Sequence, residues 1–151
     1  MEDVITGAFV LWAGSIATAD WRWRKVPNVL LLALLLPTVT VLALHGVGPL
    51  SVPWQSSLAG ALVAAALTLP GYLAKSLGAG DVKLAAVAGL VLGWPSIWWM
   101  LLCAALLLGL MSLAVVLMLG FANARTVRLP AAVALAGGFA AVVVNIKTGW
   151  L

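Results

Sequence analysis

The chain has 151 residues, a length that fits one compact domain over 1–151. Charged residues are 8% of it, against roughly 25% in globular proteins, and mean hydropathy is +1.20, which excludes an ordinary soluble domain. The net charge of +4 comes without a basic, aromatic-studded soluble face, so it is not a nucleic-acid signal.

Taken in order, the chain is a series of apolar runs approaching the roughly 20 residues that cross a bilayer. Backbone in lipid must satisfy its own hydrogen bonds, so such runs are helices. The alternation of a transmembrane barrel is absent. The first run covers about residues 4–19 and ends in a charged, aromatic loop, Asp20-Trp21-Arg22-Trp23-Arg24-Lys25. The N-terminus carries Glu2 and Asp3 where a cleavable signal would be basic, and no soluble extension is expected at either end. Pro27 and Asn28 open the second run, about 28–45, where a proline's missing N–H costs nothing. Pro37 inside that run predicts a kink.

The third run, about 55–74, leads through Lys75 into Gly78-Ala79-Gly80-Asp81-Val82-Lys83. The fourth, about 82–94, is short and rich in small residues that let helix backbones approach closely. It either spans fully or is re-entrant. The fifth, about 97–121, is long, and the sixth covers about 130–146. The fold class is therefore all-α, a polytopic membrane protein of about six transmembrane helices.

Alternation places the loops after helices one, three and five on one side. Arg22, Arg24, Lys25, Lys75, Lys83, Arg125 and Arg128 all fall there, and only Lys147 lies opposite. The positive-inside bias makes that side cytoplasmic and puts both termini outside. All tryptophans except Trp12 sit near helix ends, as in an interfacial belt.

Besides Glu2 and Asp3, the only acids are Asp20 and Asp81, both at the cytoplasmic ends of runs. An ionisable group near hydrocarbon is costly and a functional candidate by default. Two neighbouring carboxyls cannot both ionise easily, so they share a proton. Such a pair supplies a base for water and an acid for the carbonyl and leaving amine. It hydrolyses an amide without metal, cofactor or nucleophilic side chain. The glycines beside Asp81 let a substrate backbone lie close. Each acid also has a structural reading. Asp81 would be the N-cap of the fourth helix or a partner of Lys75 or Lys83, and Asp20 a partner of Arg22 or Arg24. Their placement on one side favours chemistry.

Other residues carry less. His45 is the only histidine, in a loop on the far side, without a partner cluster. Cys103 is alone, a small core residue. Asn145 and Lys147 snorkel at a helix end. The run Arg22–Lys25 sets topology and contacts anionic lipid headgroups. Gly137-Gly138 is a helix-packing notch.

The stretch from Gly78 through Asp81, Lys83 and Leu84 resembles the GxGD block of the type IV prepilin peptidases. Asp20, followed by Arg22, Arg24 and Val26-Pro27-Asn28, resembles that family's other aspartate block. The resemblance implies an aspartic endopeptidase of the bacterial inner membrane. Its substrates would be prepilins or pseudopilins, cut at the cytoplasmic face after a short basic leader that usually ends in glycine. It implies Asp20 and Asp81 as the catalytic pair. Gly78, Gly80, Lys83, Pro27 and Asn28 would be motif and substrate-positioning residues. The cysteine-bearing region of longer members is missing, which implies peptidase without N-methyltransferase activity. The short form is similar to the peptidases of tight-adherence (Flp) systems, and archaeal preflagellin peptidases share both blocks. The partners implied are the prepilin helix and membrane lipids, not nucleic acid.

Two other functions use the same features. A small proton-coupled transporter would use the acids as a relay, but it predicts mid-membrane acids and internal repeats. A non-catalytic pilus or secretion assembly factor would tolerate loss of either acid.

Overall fold

A computed structural model describes residues 2–23, 26–124 and 129–148. Arg24, Lys25, Arg125 and Arg128, on which part of the topology argument rests, lie outside the described residues. Six helices follow one another: α1 (Glu2–Trp23), α2 (Asn28–His45), α3 (Trp54–Leu73), α4 (Ala79–Leu92), α5 (Ser96–Ala124) and α6 (Ala131–Thr148). The protein is an all-helical, multi-pass membrane protein. Five helices are long and apolar enough to cross a bilayer, over Val4–Trp23, Asn28–His45, Trp54–Leu73, Ser96–Gly120 and Ala131–Thr148.

The exception is α4. At 14 residues and 1.5 Å per residue it is about 21 Å long, short of the roughly 30 Å hydrocarbon core. It is instead the centre of the bundle, touching α3, α6, α2 and α5. Nine of its 14 residues are buried. The small side chains Ala85, Ala88 and Gly89 make that possible. A Cβ on Gly60 of α3 would collide with the Gly89 carbonyl oxygen, and one on Gly89 with the Gly60 carbonyl oxygen. The two backbones therefore touch, the arrangement that small residues permit between membrane helices. Across the bundle, Gly138 of α6 lies against α5, where a Cβ would sit 2.6 Å from the Met100 carbonyl oxygen. The Gly137-Gly138 pair is thus a packing notch at its second glycine.

Around this centre, α1 packs on α6 and α6 on α5. Trp12 joins three helices. Its ring meets Phe139 of α6 edge-on at 5.4 Å, and its Nε1 donates to the Leu30 carbonyl of α2 at 2.7 Å. This explains a tryptophan away from the interfacial ends: its N–H finds a partner inside the protein. Outward faces are aliphatic, with Leu102, Leu106, Leu110 and Leu117 of α5 all exposed. Such surface suits lipid and would be anomalous in water.

The helix ends differ from expectation in detail. α1 does not stop at Ala19; it runs on to Trp23, so Asp20 lies in its last turns and not in a loop. No glycine or proline lies between Ala19 and Pro27, and the helix continues through the polar residues as far as Trp23. α2 is continuous through Pro37, and α3 contains Pro70 in its last turn. α5 breaks at Gly120, whose φ of 77° is left-handed. Cys103 is half-buried in α5 and not a core residue.

Candidate active site

The connections after α1 and after α3 meet at one end of the bundle. The contact is Val26 against Gly80: a Cβ built on Gly80 would lie 3.1 Å from the Val26 Cβ. Glycine at 80 therefore lets the start of α4 close against Val26, two residues ahead of α2. That closure brings the last turns of α1 beside the first turn of α4.

Between them lies a cleft of about 320 Å³, lined by Asp20, Val26 and Asn28 on one side and by Gly78, Ala79, Gly80, Asp81 and Lys83 on the other. Asp20 and Asp81 share it, though 61 positions separate them in the chain. Both are buried, 6% and 9% exposed respectively. Gly78, Ala79, Asn28 and Lys83 are exposed at its mouth.

Asp81 is held by its own helix. Gly78, in extended conformation, is the N-cap residue of α4, and Asp81 occupies the third helical position. Its Oδ2 accepts a hydrogen bond from the Gly78 N–H at 2.8 Å. This is the returning half of a capping box; glycine has no side chain to supply the other half. The structural alternative for Asp81 is thus corrected: it is not the N-cap. Gly78 is tight as well, since a Cβ there would lie 3.3 Å from Asp81 Oδ2.

The same geometry sets the electrostatics of Asp81, which lies outside the five spans. Burial pushes its carboxyl above the usual range. The Gly78 N–H pulls the other way, and the charge of Asp20 adds a further upward push. The Asp20 charge acts on Asp81, as neighbouring carboxyls in one cleft must.

The remaining expected positions sort as follows. Gly78, Gly80, Lys83 and Asn28 line the cleft. Pro27 does not; it is the N-cap residue of α2, with φ of −65°, and its carbonyl accepts from the Leu30 and Leu31 N–H groups. Pro27 thereby aims Asn28 at the cleft without touching it. His45 ends α2, the helix that starts at the cleft, so it sits at the far end of the bundle. Asn145 is spent on its own helix, donating to the Ala141 carbonyl at 2.9 Å. Sequence reasoning missed Val26 as a lining residue. The signal was available, since Val26 directly precedes the Pro-Asn pair. Among the described residues no group of three or more His, Cys, Asp or Glu side chains could hold a metal ion.

In comparisons with known proteins, no curated protein and no solved structure matches the chain. One protein family does match, over residues 7–114, more than half of the chain and a span that holds the whole cleft. A buried carboxyl pair with two glycines at the rim of a helical membrane bundle suits peptide hydrolysis, and the chain belongs to the type IV leader peptidase family.

Proposed function

We propose that this peptidase removes the short basic leader of type IV prepilins or pseudopilins, with Asp20 and Asp81 as its catalytic pair. The observation that carries the reading is the common cleft: two buried carboxyls at one end of the bundle, beside exposed backbone at Gly78-Ala79. One carboxyl is ionised and the other protonated. The ionised one takes a proton from water as the oxygen attacks the scissile carbonyl carbon. The protonated one gives its proton to the carbonyl oxygen. Collapse of the tetrahedral intermediate breaks the C–N bond, and the amine leaves with a proton from the pair. The exposed backbone at Gly78-Ala79 offers the substrate chain a surface to lie against, and Lys83 and Asn28 position it at the mouth.

The cleft faces the cytoplasm in this reading, because Arg22, Lys75 and Lys83 cluster at its end of the bundle and are exposed. The termini then lie outside. Flp-type pilins are the first substrates to test in this reading. Co-expression with a prepilin, followed by a gel shift for leader loss, tests the assignment. Wild type shortens the substrate; Asp20→Asn and Asp81→Asn do not. Cleavage at the normal rate by both variants overturns the mechanism.

A further inference from the structure

A second cavity, about 510 Å³, opens beside the cleft. The two share Asn28 and Lys83, so they form one continuous trough. Resting on the proposed peptidase reading, we infer that this trough holds the apolar segment of the substrate next to the scissile bond, as a helix lying between α2 and α3.

The groove exists because α2 stands apart. Its main contacts are with α4 and α1, while α3 is clamped on α4 by the Gly60–Gly89 approach. Leu31 and Leu35 of α2 form one wall, and Ala61 of α3 forms the other. Ala86, Val87 and Leu90 of α4 are the floor. The shared residues begin both helical stripes: 28, 31, 32 and 35 on α2, and 83, 86, 87 and 90 on α4. Both are i, i+3, i+4, i+7 patterns, one face of each helix. α2 and α4 both start at the cleft end, so the stripes run in parallel away from it. Seven residues at 1.5 Å each make the groove about 10 Å long.

Polarity changes along it. The end at the cleft has Asn28 and Lys83; beyond them every lining residue is aliphatic. A peptide cut in the cleft must leave it as a continuous chain. The exit along this trough passes from polar to apolar surface within two helical turns. Backbone entering that environment must satisfy its own hydrogen bonds, which makes the occupant a helix with apolar side chains. A polypeptide that is polar up to the cut bond and apolar beyond it matches the gradient.

The test compares two substrates. One is a membrane-anchored precursor with an alanine–leucine helix directly after the cleavage site. The other is a soluble peptide with the same site and a Gly/Ser stretch in place of the helix. Ala86→Phe fills the groove floor. The expected result is a fall of about tenfold or more in the ratio of anchored to soluble cleavage, the scale of losing one buried aliphatic contact. In parallel, Leu32→Cys and Leu110→Cys are placed singly in a Cys103→Ala, Asp81→Asn background. A bis-maleimide should join Leu32→Cys, but not Leu110→Cys, to a cysteine about seven residues beyond the scissile bond. An unchanged ratio, or equal cross-linking from the two positions, overturns the groove assignment and leaves lipid as its occupant. If Ala86→Phe loses both activities, the cross-linking pattern decides. Wild type cleaving neither substrate would instead overturn the peptidase reading and, with it, this one.

Discussion

Asp81→Asn separates the chemistry of the site from its architecture. The carboxylate does two things here: it accepts the Gly78 N–H at 2.8 Å, and it faces Asp20 across the cleft. Asparagine keeps an oxygen acceptor at the same reach, so the first turn of α4 retains its bond. Alanine loses it. A lost N-terminal helix bond of this kind costs about 1 kcal/mol. The proton-transfer role is lost in both variants, and general acid–base catalysis contributes about 10²–10⁴-fold in rate. The expectation is therefore a split. Both variants fall by at least that order in leader cleavage, while only Asp81→Ala loses thermal stability in detergent. Asp20→Asn should match Asp81→Asn in rate, and the double variant should be no worse than either, because paired groups act as a unit. Purified protein, a prepilin substrate and a densitometric time course supply the rates; thermal unfolding supplies the stability. Asp81→Asn cleaving within a few-fold of wild type would refute the reasoning. So would additive losses in the double variant, which would show two independent roles.

Other outcomes follow from the packing. Gly80→Val would press on Val26, 3.1 Å from the position of the new Cβ, and should open the cleft; leader cleavage falls while the helix content seen by circular dichroism holds. Gly89→Val meets the backbone of Gly60, which cannot yield as a side chain end does; the cost is about 3 kcal/mol or more, read as a lowered unfolding temperature. Trp12→Phe removes the bond to Leu30 and should cost about 1 kcal/mol by the same assay, with the ring contact to Phe139 retained. The raised carboxyl of Asp81 gives a pH signature. The folded state binds that proton more tightly than the unfolded chain does. Its contribution therefore favours folding at low pH and is lost as pH rises through the folded-state range. The unfolding temperature of wild type relative to Asp81→Asn should accordingly rise as pH falls. Asp20→Asn should weaken this dependence without abolishing it, since burial and not the Asp20 charge is its largest cause.

Much of the fold is readable along the chain. Each apolar run became one helix, because hydrocarbon leaves backbone polar groups no partner but their own segment. The two acids stand out for a similar reason: in a chain with four carboxylates, one placed against a membrane helix needs a use. The end of α1 was harder to see. Asp20-Trp21-Arg22-Trp23 reads as a loop by polarity, yet helix propensity and the absence of a breaker before Pro27 carry the helix through it. The GxGD glycines suggested room for a substrate backbone. The structure gives Gly80 a further task, close approach to Val26, that no local pattern announces.

The sequence by itself determined the number, type and order of the helices and the placement of both carboxyls at helix ends, since these depend on hydropathy and chain punctuation. Only the tertiary structure decided that Asp20 and Asp81 share one cleft, that the short α4 is the buried hub of the bundle, and that α2 leaves a groove beside α3. Those facts depend on which backbones can touch. That is settled by contacts such as Gly60 on Gly89 and Gly80 on Val26, which join residues far apart in the chain.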